Sequence, residues 1–199
     1  MLLDHLVGLY THPKQEWHTI DEKHEGIGAS LSHLLIVAIL PPVCAYISSV
    51  FIGWQIGVGD PIFLTAGSAI FMAIGMYIAL VSGVFALGYL TYWMSRTFGS
   101  EPEYTQCFEV AVYTATPLFM SALGAFYPHI WFLMMVGLVG LSFSVYLLYT
   151  GVPILMHIPE DRGFIYASSV VTCGLVLLVT IMASSVILWN FGFGPQFVS

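Results

Sequence analysis

Histidine and acidic residues concentrate near the start of the chain, at a spacing that could form a metal site. His18, Glu22 and Glu25 lie four and three residues apart, so they share one face of a helix. Imidazole and carboxylate groups in this arrangement can hold a divalent transition metal. The stretch lacks the second histidine of an HExxH motif, and a solvated helix face explains the same spacing. The cluster therefore has two interpretations, a charged surface or a divalent-cation site.

A second group of polar residues lies in an apolar part of the chain. An acid at the centre of a bilayer costs about 2.5–3.5 kcal/mol on insertion scales, and less at the rim. Glu109 either extends to the membrane surface or points inward, towards His33 or the N-terminal helix. The hydroxyls of Tyr113, Thr114 and Thr116 stand just before a proline and can satisfy the carbonyls that it frees. The alternative is that these five side chains line an ion or proton path.

Complete catalytic motifs are missing from the sequence. It contains no Walker loop, no GxGxxG and no GxSxG nucleophile elbow. Residues 57–60 spell the GxGD of intramembrane aspartyl proteases, but that chemistry needs two carboxylates sharing a proton at one membrane depth. No predicted span contributes a second aspartate. The sequence therefore predicts a protein that is not an enzyme and needs no cofactor.

Composition indicates the environment in which these residues must be held. Of 199 residues, 58% are hydrophobic and only 8% are charged, whereas soluble domains carry about 25% charged residues. So few polar groups cannot cover the surface of a water-soluble globule. The chain is therefore predicted to be an integral membrane protein surrounded by membrane lipids. Four basic residues against 11 acidic ones also exclude nucleic acid as a partner.

Apolar stretches predict an all-α fold with five transmembrane helices. Residues 1–30 are predicted to hold a short amphipathic cytoplasmic helix, and residues 31–199 a single bundle. The predicted spans cover residues 31–53, 62–95, 107–127, 130–150 and 165–190. Two adjacent prolines predict a kink or break in the first span. The second span is longer than a hydrocarbon core of about 30 Å requires, so it must tilt, protrude or begin as a loop.

Basic residues predict the orientation of the bundle. With five spans, Lys14, Lys23, Arg96 and Arg162 all fall on one side, which the positive-inside rule makes cytoplasmic. The C-terminus is then outside. Ten of the eleven acids lie on the same side as the four bases, a surplus of six negative charges. This face is either a solvated surface or one that attracts cations or a basic partner.

Small residues in the second span predict close packing between helices. Gly75, Ala79 and Gly83 form two overlapping small-xxx-small steps, which let two helix backbones approach each other. The pattern fits packing inside the bundle, and it also fits the seam of a homo-oligomer.

Several motifs resemble those of a known family. They are the series Pro13, Trp17, Ile20, Glu22 and the segments AVYTATPLFMSALGAFYP (111–128) and YLLYTGVPILMHIPEDRGFIYA (146–167). Together they are similar to the bacterial branch of the Yip domain, the family of Ypt/Rab-GTPase-interacting proteins. The resemblance covers nearly the whole chain and implies a five-span bundle in the bacterial inner membrane with a cytoplasmic N-terminus. It implies no reaction, and the Rab partnership of eukaryotic relatives is not carried over.

Two functions from different classes follow as hypotheses. The first is a non-enzymatic inner-membrane scaffold that presents its acidic cytoplasmic face to a protein partner or organises the bilayer locally. The second is a cation channel or transporter that uses this face and Glu109. One chain with five spans encloses little room for a pathway, so the second hypothesis requires a homo-oligomer.

Overall fold

The computed structural model describes residues 8–23, 26–55 and 59–198. Among these residues, five helices are long and apolar enough to cross a membrane, which confirms the predicted all-α fold with five spans. In chain order the first to fifth spans are Ile27–Ile52, Ala66–Phe98, Tyr104–Phe126, Ile130–Leu155 and Glu160–Gly192. A shorter helix, Pro13–Lys23, precedes them and is called the N-terminal helix.

The first span is interrupted near its two prolines. One α-helix runs from Ile27 to Val37, and a second runs from Leu40 to Ile47 before a π-helical turn ends the span. Pro41 and Pro42 lie in the first turn of the second segment. Backbone N–H groups in a first turn have no helical partner, so proline loses nothing there. The break therefore falls just before the prolines.

The helix of the second span begins later than predicted, at Ala66 and not at residue 62. Residues 61–65 are not helical, and the backbone of Ile62 pairs with Trp54 instead. The α-helix then runs without interruption over Ala66–Ser95. At about 1.5 Å per residue its 30 residues measure about 45 Å. This length still exceeds a hydrocarbon core of about 30 Å, so the helix must tilt or protrude.

Each of the other three spans also extends beyond its predicted range, the third at its start, the fourth at its end and the fifth at both. The third is an α-helix over Tyr104–Met120 that tightens into a 3-10 turn over Ser121–Phe126. The fourth continues past residue 150 and includes Pro153 before it ends at Leu155. The fifth begins at Glu160, before the predicted residue 165.

The third span is the centre of the bundle. It contacts the first, second and fourth spans, while the fifth contacts the second and fourth. Every residue from Cys107 to Thr114 is buried. The second and fifth spans, in contrast, are mostly exposed and apolar, with side chains such as Phe71 and Val176 facing outward. An apolar outer surface on spans of this length is the surface of a membrane protein.

The N-terminal helix is packed against the fourth span. Its buried side chains are Trp17 and Ile20, and Trp17 is fully enclosed. Opposite Trp17 the fourth span has Gly151, where an added Cβ would lie 2.5 Å from Trp17 Cε2. Only glycine leaves room for the indole ring there. The N-terminal helix is therefore held on the bundle by a tryptophan in a glycine notch.

Candidate functional site

One face of the third span carries a row of buried polar side chains. Glu109, Tyr113 and Thr116 are spaced by four and three residues, so they lie along one side of the helix. Glu109 is only 3% exposed, so its carboxyl group points into the protein and not to the membrane surface. The helix that carries them is fixed at its start by a capping box, in which the Glu103 N–H donates to Gln106 Oε1 at 2.9 Å.

His33 of the first span meets this row at Thr116. Its Nε2 lies 3.0 Å from Thr116 Oγ1, and its ring centroid lies 5.0 Å from that of Tyr113. The Thr116 hydroxyl also donates to the carbonyl of Val112 at 3.0 Å. Either partner can donate in the bond between His33 and Thr116, according to the tautomer of the imidazole. The structure thus brings His33 into contact with Tyr113 and Thr116, and it places Glu109 one turn before Tyr113 on the same face of the third span.

Thr114, the fifth of these residues, forms hydrogen bonds only within its own helix among the bonds observed. Its hydroxyl donates to the carbonyl of Val110 at 2.6 Å and approaches that of Ala111 at 3.3 Å. One residue along a helix is a rotation of about 100°, which takes Thr114 away from the His33 side. Both carbonyls lie in the turn before Thr114, whereas the carbonyl that Pro117 frees is that of Tyr113, four residues before the proline.

The N-terminal helix meets this row at Tyr113, its middle residue. The Trp17 ring meets the Tyr113 ring edge-on, with centroids 6.2 Å apart. Trp17 Nε1 is buried and has no hydrogen-bond partner within the described parts of the chain. The same is true of the hydroxyl of Ser30, which lies one turn before His33. Unpartnered polar groups on the two helices that contact Tyr113 add to the buried polar character around this residue.

This polar row has a defined chemical capacity. A carboxyl group and an imidazole can each take up or release a proton, and both can compensate a cation. An acid inside a membrane span is costly and is by default a reason to suspect a function. The use of Glu109, His33, Tyr113, Thr114 and Thr116 as a path stays a prediction.

The predicted metal cluster is only partly within the described structure. His18 and Glu22 lie on the exposed side of the N-terminal helix, and Glu25 lies outside the described residues. The described residues contain no group of three or more His, Cys, Asp or Glu side chains placed to hold a metal ion. Binding of a divalent cation by His18, Glu22 and Glu25 stays a prediction.

The small residues of the second span have different surroundings. A Cβ added to Gly83 would lie 2.9 Å from Ile181 Cδ1 of the fifth span, whereas one added to Gly75 would have nothing within 4 Å. Ala79 lies between them and is half-buried. Gly83 therefore takes part in packing within the bundle, and Gly75 faces outward.

Two features of the site have weak signals in the sequence. Gly151 is one of 19 glycines, and no short motif distinguishes it as the notch for Trp17. Asp21 and His157 lie 136 residues apart in sequence, yet His157 Nε2 is 2.9 Å from Asp21 Oδ2. His157 has a backbone φ of 51°, in the left-handed region, at the turn between the fourth and fifth spans. The pair attaches the N-terminal helix to that turn.

The fold and the buried polar row belong to a multi-pass membrane protein, and sequence comparison identifies its family. Residues 7–181 match the Yip1 domain, so the chain belongs to the Yip1 domain family. It is 35% identical over 192 residues to the protein named inner membrane protein YohC in Escherichia coli strain K12, covering 96% of this chain and 98% of that protein. The YohC protein of Escherichia coli O6:H1 matches to the same extent. No solved structure matches the chain.

Proposed function

We propose that this protein is a non-enzymatic inner-membrane scaffold that presents a fixed, acidic surface on the cytoplasmic side to a basic protein partner. The observation that carries the proposal is the attachment of the N-terminal helix to the bundle through Trp17. A helix held at a constant angle offers the same charged side chains in the same geometry to every binding partner, so less ordering entropy is lost on binding.

Burial and pairing support this attachment. Trp17 is fully buried at the Gly151 notch, and Asp21 pairs with His157. The opposite side of the helix carries exposed charged residues, among them Lys14, His18 and Glu22. The side that binds the bundle and the side that is offered to solvent are therefore distinct.

Charge supports the sidedness and the nature of the partner. All four basic residues lie at the end of the bundle that carries the N-terminal helix, which favours a cytoplasmic location for that end. Seven described acids belong to the same segments: Glu16, Asp21 and Glu22 of the N-terminal helix, and Glu101, Glu103, Glu160 and Asp161 at the connections between spans. A surface with this surplus of negative charge attracts positively charged segments of other proteins.

The relatives and the sequence support a non-enzymatic role in the inner membrane. The Escherichia coli relatives are named inner membrane proteins, and the sequence offers no complete catalytic motif. The exposed apolar second and fifth spans, with Gly75 facing outward, also offer a surface for a homo-oligomer.

Site-specific photocrosslinking in native membranes tests the scaffold. A photoreactive amino acid replaces Gln15, which is exposed on the N-terminal helix, and a control probe replaces Phe71, which is exposed on the second span. The Gln15 probe is expected to capture a reproducible basic protein that the Phe71 probe does not. Capture should fall when Glu22→Lys reverses a charge, and when Trp17→Ala releases the helix from a bundle that still unfolds cooperatively. Capture that survives both changes would refute the proposal.

A second function, an oligomeric cation channel or transporter, is favoured by the burial of Glu109 and His33 inside the bundle. Cation flux into proteoliposomes tests it with Glu109→Gln and, as a matched control, Glu101→Gln, since Glu101 is exposed. Loss of flux in Glu109→Gln alone would support the path. Equal flux in the two variants and the wild type would remove Glu109 from it. A variant with alanine at His18, Glu22 and Glu25 tests the acidic surface in the same assay.

A further inference from the structure

A cleft of about 330 Å³ lies between the N-terminal helix and the facing ends of the fourth and fifth spans. The N-terminal helix contributes Lys14 and His18, which are four residues apart and therefore on one face. The fifth span contributes Glu160, its first residue. The cleft thus has a side rich in N–H donors and a carboxylate among its lining groups.

Apolar side chains form the part of the cleft that belongs to the spans. Pro153 and Ile154 come from the last turn of the fourth span, and Phe164 comes from the fifth and is 62% exposed. Tyr149 lies one turn further into the membrane, with its hydroxyl 2.8 Å from Ser168 Oγ. The charged groups lie near the ends of the two spans and the apolar groups within them, the polarity gradient of a membrane interface.

We propose that this cleft binds the head group of a phospholipid that carries a primary ammonium, with phosphatidylethanolamine as the representative. The phosphate oxygens accept hydrogen bonds from Lys14 and His18, and the ammonium donates to the Glu160 carboxylate. The glycerol and the first methylene groups lie along Ile154 and Phe164. The proposal does not depend on the scaffold or on the cation path.

The mixed charge of the cleft selects this head group over two others. An anionic head group without an amine, such as phosphatidylglycerol, leaves its phosphate near the unpaired Glu160 carboxylate, which disfavours binding. The quaternary ammonium of phosphatidylcholine has no N–H with which to donate to a carboxylate. Of the three head groups, only that of phosphatidylethanolamine brings a positive charge with N–H donors to the Glu160 carboxylate.

Native mass spectrometry of the full chain, released from detergent and titrated with each of the three lipids, tests the site. Lys14→Gln and Glu160→Gln each remove one charged group of the cleft. Lys23→Gln and Asp161→Asn are the matched controls, because both residues are exposed nearby and neither lines the cleft. All four substitutions are at exposed positions, and thermal unfolding of each variant checks that the fold is kept.

The expected result is a pattern across lipids and variants. Lys14→Gln should lower the affinity for phosphatidylethanolamine about fivefold, the effect of one charge at a membrane surface. Glu160→Gln should abolish the preference for phosphatidylethanolamine over phosphatidylglycerol, and the controls should bind as the wild type does. A preference that persists in Glu160→Gln, equal losses in Lys14→Gln and Lys23→Gln, or wild-type binding with no preference would each overturn the proposal.

Discussion

Substitution of the glycine in the fourth-span notch tests how the N-terminal helix is held. In Gly151→Ala, the new Cβ would lie 2.5, 2.7 and 2.9 Å from Cε2, Cζ2 and Cδ2 of Trp17. The indole is fully buried, with the Tyr113 ring edge-on to it at a centroid distance of 6.2 Å. It cannot move aside without displacing a neighbour. The contact must therefore be relieved by shifting the whole N-terminal helix.

Two opposing effects determine how much Gly151→Ala changes the free energy of unfolding. Overpacking of a tight contact costs about 1–3 kcal/mol, and contacts this short belong at the upper end. Alanine is favoured over glycine inside a helix by up to about 1 kcal/mol. The net expectation is a loss of about 2 kcal/mol, which corresponds to a Tm about 4–8 °C lower for a chain of this size.

Gly137→Ala in the same span is the matched control, because an added Cβ there meets nothing within 4 Å. Only the gain in helix propensity applies, so its Tm should not fall. A thiol-reactive dye in detergent measures both variants, because Cys44 and Cys107 are buried and react on unfolding. Hydrogen exchange of residues 13–23 should increase in Gly151→Ala alone. A Tm for Gly151→Ala equal to that of Gly137→Ala, with unchanged exchange, would refute the notch.

Three further predictions use the same purified protein. Gly163→Ala should lower the Tm, because its Cβ would lie 2.6 Å from Pro153 Cγ, whereas Gly174→Ala, with Leu87 Cδ1 at 3.7 Å, should not. Thr116→Val should cost about 1–3 kcal/mol, because it removes the buried hydrogen bond between the Thr116 hydroxyl and His33 Nε2. Thr114→Val, which loses only bonds within its helix, should cost less by the same thermal measurement. Alkylation followed by intact mass measurement should modify Cys173 before Cys44 and Cys107 in the folded protein, and all three after denaturation; equal rates in the folded state would contradict the burial.

The number of spans was predictable from the sequence, while some of their ends were not. The scarcity of charged residues and the length of the apolar runs indicate how many helices of this chain cross the bilayer. Leu155 and Glu160, where the fourth span ends and the fifth begins, lie beyond the predicted ends. A helix can continue beyond the hydrocarbon core into the headgroup region. The fifth span does so at its start, where the acidic residues Glu160 and Asp161 interact favourably with the helix dipole. Hydropathy gives the membrane-embedded length and not the helical length.

The candidate site was predictable in its residues but not in its geometry. The spacing of Glu109, Tyr113 and Thr116 is a helix period, so their common face follows from the sequence. The hydrogen bond between His33 and Thr116 depends on how the first and third spans pack against each other. No pattern in a single sequence reveals that packing. The Gly151 notch is harder still, because it depends on shape between residues far apart in the chain.

The contact between Trp17 and Gly151 determines the order in which parts of the protein assemble during synthesis. The two residues are 134 positions apart, and a ribosome that adds about 5–20 residues per second needs roughly 7–27 s to synthesise that interval. Throughout this time the indole has no notch to occupy, and an interfacial position at the lipid surface is the environment that suits it. The N-terminal helix leaves the ribosome before the five spans, so it can dock only after the fourth span is inserted.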